Sequence, residues 1–412
     1  MKNQTKKTRM PNYMKSFRCI GSACEDNCCI GWDVDIDKKT YLKYGKVNDS
    51  ELKQLFDKNI HRNKQCFNDN IDYATVKLSK QKRCPFLNDT QLCRIQAKLS
   101  EGFLSNVCAT FPRYTHVVDG VREQSATVSC PEIARLILLN PEPIVYREET
   151  IRADERLIVT HTIDTRDSRE KNPLVSHLPE LRKFTIEILQ DRTRSLEERM
   201  TILAKFFSAL QKRIQTGRNP NPSAWILQTQ KELLAEAPTT QPTDWTFQAE
   251  RFREMLLALD MLKTIDSKRY VDAARTVLSG FGYSDSLSTK DLGLRMAEGH
   301  RLHMKHFMKK HGYMLENYLV NAVYRNLFPA ADSNQAFDVY MILALSFTLI
   351  RMQLTGLALA QNGLKPEDAA MYIQSFAKVA EHHKTFWDAM ALNMRRKQYS
   401  TLSGATKLLA VE

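Results

Sequence analysis

Glycine is scarce in this chain, and cysteine is absent from its last two thirds. The 412 residues include 14 glycines, against roughly 29 at average usage. A chain so poor in glycine is more typical of helices than of glycine-rich phosphate loops. All nine cysteines lie between Cys19 and Cys130. This distribution predicts two parts of different construction, with a boundary near residues 135–175.

The sequence also lacks a long apolar run and an apolar leader. Its longest apolar stretch, Val339 to Ile350, is interrupted by Ser346 and Thr348 and is shorter than the roughly 20 residues that span a bilayer. It therefore predicts a core helix and no transmembrane segment. The first 17 residues contain five basic side chains but no apolar core, so we expect no secretory signal and a cytoplasmic location. Thiols stay reduced there, which favours metal or redox chemistry over disulfides.

The composition is otherwise that of a globular protein, with an excess of positive charge. Hydrophobic residues make up 43% and charged residues 26%, which excludes collagen, low-complexity disorder and a membrane-spanning bundle. The net charge of +13 favours acidic partners such as nucleic acid, anionic lipid or an acidic protein surface. Nucleic acid is the least expected of these, because no aromatic platform or recognition helix accompanies the basic residues.

The pattern of residues predicts a mainly α protein in three parts. Residues 1–135 are expected to form an irregular, cysteine-rich, metal-binding domain, with short helices at 38–44, 50–59 and 91–104 and a hairpin turning at Asp119-Gly120. Residues 136–178 read as a connector containing one short strand. Residues 179–412 predict an all-α helical bundle, opened by the capping box Ser195 to Glu198. Its further helices are predicted at 223–236, 247–265, 268–279, 291–311, 313–327, 334–361 and 366–396.

The cysteines follow one another at spacings that suit a metal centre. Their order is Cys19-x4-Cys24-x3-Cys28-Cys29, then Cys66, then Cys84-x8-Cys93-x14-Cys108, and finally Cys130. Thiolates are soft ligands that favour zinc or iron–sulfur clusters. Only His61 and His116 accompany them, so a mixed site of cysteine and histidine is not indicated. A structural zinc and buried free thiols remain alternatives to an iron–sulfur cluster.

Several short motifs surround these cysteines. They are Phe17-Arg18-Cys19, Cys28-Cys29-Ile30-Gly31-Trp32, Cys84-Pro85-Phe86-Leu87, Phe111-Pro112-Arg113 after Cys108, and Ser129-Cys130-Pro131-Glu132. Together they cover about residues 17–135 and resemble the flagellin lysine N-methylases of enteric bacteria. The N-terminal part of those enzymes belongs to a wider class of zinc- or iron-chelating domains marked by a vicinal cysteine pair. Gly31-Trp32 and the motif at Cys130 make the resemblance to the methylases more specific than the vicinal pair alone.

The resemblance implies a definite reaction. Such enzymes transfer a methyl group from S-adenosylmethionine to the ε-amine of surface lysines on flagellin, with a [4Fe-4S] cluster. Matched residue by residue, the candidate ligands are Cys19, Cys24, Cys28, Cys29, Cys84, Cys93, Cys108 and Cys130. One cluster needs only about four protein thiolates, so some of these must do other work. Cys66 lies outside the matched motifs and is expected to be a plain thiol.

Two signatures of methyl-donor binding are missing. No glycine-rich loop follows a predicted strand, and Gly280-Phe281-Gly282 is expected to end a helix instead. The cysteines also depart from the Cys-x3-Cys-x2-Cys spacing of radical S-adenosylmethionine enzymes, because Cys29 follows Cys28 directly. The donor therefore follows from the resemblance alone. The sequence assigns neither its pocket nor a catalytic residue.

Two further clusters offer candidate contacts. Asp33, Asp35 and Asp37 alternate beside the vicinal cysteines, so they could share one face of a strand and recognise a lysine, or form a solvated edge. Trp32 could contact a methylated ammonium or pack in the core.

The segment 295–311 holds four histidines among five basic residues. Histidines three residues apart share a helix face, which is compatible with a metal pair. A basic face that touches an acidic protein or the surface of an anionic membrane is an alternative, as is a solvated face. For the whole chain, a non-enzymatic zinc- or iron-binding adaptor is the alternative to the methyltransferase.

Overall fold

The chain folds into two units, which we call the cysteine unit and the helical unit. The computed structural model describes residues 5–152, 156–167, 169–170, 172–217, 222–236, 242–259, 267–330, 335–381 and 385–411. The cysteine unit comprises Met1–Ile133 and Val145–Ile163, and the helical unit comprises Ala134–Ile144 and Asp164–Glu412. The predicted fold class is confirmed, since strands, short helices and loops make up the first unit and a helical bundle the second.

The described residues of the cysteine unit form two β-sheets. Its strands are β1 Thr5–Pro11, β2 Asp35–Ile36, β3 Ile60–Arg62, β4 Ala74–Val76, β5 Arg113–Val118, β6 Val121–Ala126, β7 Tyr146–Arg152 and β8 Val159–Ile163. The larger sheet has the order β7-β1-β6-β5-β8, and the smaller has the order β2-β4-β3. Strands β7 and β8 come from the stretch that the sequence predicted as a connector.

The predicted hairpin is confirmed between β5 and β6. Val118 pairs with Val121, and the two turn residues Asp119 and Gly120 have φ angles of 53° and 78°. Two consecutive positive φ angles match the right-handed twist of the adjoining strands, which explains the Asp-Gly pair.

A row of polar residues crosses the large sheet. On neighbouring strands, Glu148, Arg9, Glu123, His116 and His161 lie directly opposite one another in that order. Arg9 donates to Glu123 at 3.1 Å and to Glu148 at 2.7 Å. Glu123 is fully buried, and a buried carboxylate requires such a partner.

Short helices complete the cysteine unit and lead into the next. They are α1 Lys38–Tyr44, α2 Ser50–Asn59, α3 Arg94–Leu99, α4 Asn106–Thr110 and α5 Pro131–Leu138, with 3-10 turns at Asn12–Lys15, Gly21–Ala23 and Glu101–Phe103. Helices α1 and α2 confirm the prediction. The helix predicted over 91–104 is shorter, because Ser100 has a φ angle of 88° and interrupts it. Tyr44 and Phe56 stack at 4.2 Å in the small core of this unit.

The helical unit consists of α6 Pro173–Ser176, α7 Leu178–Leu189, α8 Leu196–Gln215, α9 Pro222–Ala235, α10 Trp245–Leu259, α11 Lys268–Gly280, α12 Thr289–Gly299, α13 Lys305–His311, α14 Tyr313–Arg325, α15 Ala336–Gln361, α16 Pro366–Ala380, α17 Phe386–Arg396 and α18 Leu402–Leu409. A π-helical turn, His300–Met304, joins α12 to α13. The capping box at Ser195 and Glu198 is confirmed. The predicted helix 366–396 is divided into α16 and α17, and residues 260–266 of another predicted helix lie outside the described residues.

Helix α15 is the core of this unit. In the described part of the chain it is the one helix long and apolar enough to cross a membrane, and 89% of its most apolar window is buried. Apolar residues all around a helix are typical of a buried core helix, as the sequence predicted. Arg351 in its middle is also buried and bonds Glu197 at 3.1 Å and the carbonyl oxygen of Leu409 at 3.0 Å. The charge is thus paired inside the bundle.

Two glycines let α11 and α15 approach closely. A methyl group on Gly280 would lie 2.9 Å from the carbonyl carbon of Gly356, and closer still to its oxygen. A methyl group on Gly356 would lie 2.7 Å from the carbonyl oxygen of Val277. Side chains larger than hydrogen do not fit at this crossing. The predicted helix end nearby is confirmed, since Gly282 has a φ angle of 56°.

Candidate metal centre

The vicinal cysteine pair is held beside Cys84 by backbone hydrogen bonds. The amide of Cys84 donates to the carbonyl oxygen of Cys29 at 2.9 Å, and that of Gly31 donates to Lys82 at 3.0 Å. The side chain of Asn27 fixes the turn before the pair, since its oxygen accepts the amide of Cys29 at 2.8 Å. Two cysteine motifs far apart in sequence therefore meet.

A second turn brings Cys93 back towards Cys84. Leu87 and Cys93 form an antiparallel bridge, and the amide of Arg94 donates to the carbonyl oxygen of Phe86 at 2.7 Å. Phe86 is almost fully buried in the small core. Phe86 thus anchors the turn in the small core, and the turn carries Cys84 at its start and Cys93 at its end.

Three cysteines lie at the beginnings of short helices. Cys93 is the N-cap of α3, Cys108 lies in the first turn of α4, which Ser105 caps, and Cys130 directly precedes α5. Burial raises the pKa of Cys93 and Cys130, and the backbone N–H groups at the start of α3 and of α5 act in the opposite direction and lower it. Such donors stabilise a thiolate, and hydrogen bonds of this kind accompany the sulfurs of iron–sulfur clusters.

The charge of Cys28 acts on six other cysteines, and we call these seven side chains the thiol group. They are Cys24, Cys28, Cys29, Cys84, Cys93, Cys108 and Cys130; charge on Cys28 raises the pKa of each of the other six. Seven of the eight cysteines that the sequence singled out are thus linked by electrostatic effects, and their role as metal ligands stays a prediction.

The thiol group favours protonated sulfur when no cation is present. A hydrogen bond with Cys28, then burial and the neighbouring thiols, raise the pKa of Cys29. Burial raises the pKa of Cys84 to about 11 and that of Cys130 to about 12. Cys108 has an exposed surface, but protein crowds its sulfur, and this desolvation followed by charge on Cys28 raises its pKa as well. Negative charge at one sulfur therefore opposes charge at the next, and a cation would relieve that repulsion.

Two cysteines stand apart from this arrangement. Cys19 is exposed and precedes the 3-10 turn Gly21–Ala23. The sulfur of Cys66 contacts a carboxylate oxygen of Asp72 at 3.4 Å, at the loop that follows β3.

The sulfur donors of the thiol group suit a soft metal, although their side chains are not placed to coordinate one. Over the described residues, no three His, Cys, Asp or Glu side chains are placed so that they could hold a metal ion. All of the nearby donors in the group are sulfur, which suits iron–sulfur or zinc chemistry. Binding would require these side chains to turn towards one another and to release their protons.

The helical unit contains a large cavity that the sequence did not reveal. Its volume is about 1110 Å³, and its wall includes the start of α8, the π-helical turn, α13 and the end of α18. Glu316 on α14 is buried in this wall and accepts hydrogen bonds from Arg192 at 2.8 Å and from Arg199 at 2.8 Å. The two arginines neutralise a carboxylate that could not otherwise be buried.

A comparison with protein families decides what this unit is. The family model described as the FliB lysine N-methylase C-terminal domain matches residues 182–408, which is more than half of the chain. The chain belongs to the FliB lysine N-methylase family. The matched residues include every helix from α8 to α17 and most of the cavity wall.

Curated relatives of this FliB family member are known from Salmonella. The lysine-N-methylases of Salmonella typhimurium and Salmonella choleraesuis are each 34% identical to it over 142 residues, which are 34% of this chain and 35% of the relative. The match thus spans about a third of their length. The flagellar biosynthetic protein FliU of Salmonella muenchen is 34% identical over 140 residues, which are 34% of this chain and 81% of the relative. No solved structure matches the chain.

The acidic residues beside the vicinal cysteines do not share one strand face in this FliB family member. Strand β2 is only Asp35–Ile36, and Asp37 is buried as the N-cap of α1, where it accepts the amide of Thr40 at 2.9 Å. Its second oxygen accepts the amide of Asn106 at 2.9 Å. Asp37 therefore joins two helices and cannot recognise a lysine. The indole N–H of Trp32 donates to the carbonyl oxygen of Cys28 at 2.8 Å.

Over the described residues, no group of three or more potential ligands includes the histidines of segment 295–311. His300 is buried, with its ring 5.5 Å from that of Trp245. His300 is thus a buried part of the cavity wall, at the π-helical turn. The lysines that follow are exposed on that wall.

Proposed function

We propose that this protein transfers a methyl group from S-adenosylmethionine to the ε-amine of lysines in flagellin. The observation that carries the proposal is membership of the FliB lysine N-methylase family over residues 182–408. The names of the relatives, a lysine-N-methylase and a flagellar biosynthetic protein, support lysine as the acceptor and a flagellar protein as the substrate. We place the reaction in the cytoplasm, where thiols stay reduced.

The acceptor must be an uncharged amine for polar transfer. A free lysine has a pKa near 10.4 and is almost entirely protonated at neutral pH. Once that proton is lost, the amine nitrogen forms a bond to the methyl carbon as the bond from carbon to the sulfonium sulfur breaks. S-Adenosylhomocysteine leaves, and the methylated nitrogen carries the positive charge. A proton-accepting group at the amine is therefore required.

The thiol group would hold the [4Fe-4S] cluster of our proposal. Charge on Cys28 and on Cys84 raises the pKa of both Cys29 and Cys108, and charge on Cys93 raises that of Cys84 and Cys108. We therefore propose that the four ligands come from these five cysteines before Cys24 and Cys130. When bound, such a cluster supplies an electron-transfer centre and a covalent link between loops. The N–H groups at the beginnings of α3 and α4 would orient the sulfurs and offset their negative charge.

A methyl-transfer assay tests the proposal. Protein purified without oxygen is incubated with purified flagellin and methyl-labelled S-adenosylmethionine, and the label is located by mass spectrometry. We expect it on flagellin lysines. A brown, fully iron-loaded sample that leaves flagellin unlabelled would contradict the enzyme and support the adaptor, a metal-binding protein without catalysis. A colourless sample containing zinc would contradict the cluster.

Matched cysteine variants test the ligand assignment. Cys28→Ser should lose most of the iron, because Cys28 lies at the centre of the thiol group. Cys66→Ser removes a thiol of the same unit that contacts Asp72 instead, so its iron content should equal that of the wild type. Equal iron in both variants would remove Cys28 from the ligand set, and loss in both would show that Cys66 belongs to it.

A further inference from the structure

The charges that line the cavity of the helical unit are unequally paired. Seven basic and four acidic side chains form its wall. Each of the four carboxylates already has a partner within the chain. Glu316 is held by two arginines, Glu197 by Arg351, Glu236 by Lys205, and Glu198 by the amide of Ser195. Three of the four acids are thus paired with basic side chains, while Glu198 is held by Ser195 in the capping box of α8.

Three lysines on one side of the cavity have no ion-pair partner in the described chain. Lys305, Lys309 and Lys310 are exposed on α13, and Lys305 and Lys309 share a face because they are one turn apart. The cavity therefore presents positive charge that the protein itself does not balance. Such a concave, basic surface attracts anions.

The π-helical turn explains why these lysines face the cavity. It places one extra residue in a helical turn, which rotates everything after it by about 100°. His300 at its beginning is buried against Trp245 and lines the cavity. The position of the lysines is thus fixed by a packed element.

The shape of the site favours an extended anion over a compact one. The N-terminus of α8 in the wall is already closed by its own capping box, so its N–H groups are not free for a phosphate. The volume of about 1110 Å³ exceeds the ~300–1,000 Å³ of small-ligand sites. S-Adenosylmethionine carries a net positive charge and is disfavoured here. Carboxylates spaced along a peptide match cations spaced along a helix.

We propose that this cavity binds an acidic segment of the polypeptide on which the protein acts. Carboxylates of that segment pair with Lys305, Lys309 and Lys310, while Met308 and Tyr313 beside them offer apolar contact. The identity of the partner rests on the proposed function. The acidic chemistry of the segment rests on the cavity alone.

The test uses the full chain and a short fluorescent peptide rich in glutamate, with its binding followed by anisotropy. The cavity variant is Lys305→Gln, Lys309→Gln and Lys310→Gln together. Its control, Lys212→Gln, Lys231→Gln and Lys290→Gln, removes the same charge from exposed positions of this unit outside the cavity. We expect about tenfold weaker binding by the cavity variant and less than about twofold by the control. Circular dichroism verifies that both variants fold.

Three results would overturn the proposal. They are equal loss in the two triple variants, equal binding of a peptide with glutamine in place of glutamate, and equally tight, lysine-dependent binding of single-stranded DNA. Binding is measured without a methyl donor, so it is independent of the transfer reaction. If peptide binding behaves as expected but flagellin is not methylated, only the proposed function fails. If flagellin is methylated equally well by both triple variants, only this inference fails.

Discussion

At the crossing of α11 and α15, helix propensity and steric overlap predict opposite changes in stability for one substitution. Replacing Gly280 by alanine in a helix should stabilise it by about 1 kcal/mol if helix propensity alone decides. The added methyl group, however, would lie 2.9 Å from the carbonyl carbon of Gly356 and 2.9 Å from the amide nitrogen of Ala360. Both atoms belong to backbone and cannot rotate away, so the two helices must separate.

We expect Gly280→Ala to destabilise the helical unit. Overpacking of this kind costs about 1–3 kcal/mol and sometimes more, and a clash with backbone belongs at the upper end of that range. After subtraction of the propensity gain, the net loss should be near 2 kcal/mol, or about 4–8 °C in the midpoint of thermal unfolding.

Helical circular dichroism on heating measures this change. Ser279→Ala is the matched control, because Ser279 is the exposed neighbour of Gly280 on the same helix. Its midpoint should stay within about 2 °C of the wild type. A Gly280→Ala variant as stable as the control, or more stable, would refute the close approach of the two helices.

Three other perturbations test the polar contacts. Glu316→Gln leaves two arginines without their counter-charge and should lower the free energy of unfolding by about 3 kcal/mol. Its control, Asp272→Asn at an exposed ion pair, should lower it by less than about 1 kcal/mol, and equal denaturation midpoints for the two variants would contradict this. Asp37→Ala removes the acceptor of two backbone amides, so it should lower the free energy of unfolding by about 2 kcal/mol and should also lower the iron content. An unchanged melting temperature would show that Asp37 does not hold α1 and α4 together. Partial burial and Asp72 raise the pKa of Cys66, so Asp72→Asn should lower that pKa and accelerate alkylation of Cys66 at pH 8, read by peptide mass spectrometry; a slower reaction would be inconsistent with this.

Local signals in the sequence were enough for most of the helices. The capping box at Ser195, the Asp-Gly hairpin turn and the left-handed Gly282 each act over a few residues, and the structure confirms all three. Helix boundaries were less accurate where a single residue interrupts the pattern, as Ser100 does.

The larger sheet could not be predicted in the same way. Strands β1 and β7 pair over a separation of more than 130 residues, and periodicity in one segment carries no information about so distant a partner. Strand β7 is also rich in charge, and its Glu148 is matched by Arg9 only across the sheet. Asp37 was misread for a related reason, since its second partner Asn106 lies far along the chain.

The candidate sites show the same difference between local sequence signals and contacts between distant segments. Spacing and soft-ligand chemistry predicted a metal site at the cysteines, while the contact of Cys84 with Cys29 joins positions far apart in the chain and could not be predicted from spacing. The cavity gave no signal in the sequence, because its wall combines helices far apart in the chain. One clue was the dense basic segment 295–311, whose orientation depends on a π-helical turn that periodicity does not reveal.

Strand β1 lies inside the large sheet, between β7 and β6, and this position sets an order of events during synthesis. Residues 5–11 leave the ribosome early, but their antiparallel partner is not made until residue 152, and the edge strand β8 is complete only at residue 163. All nine cysteines emerge in that interval. Domains fold as units while translation proceeds, so we expect the sheet to close first and the cluster that we propose to enter afterwards. A nascent chain stalled before residue 146 should therefore take up no cluster.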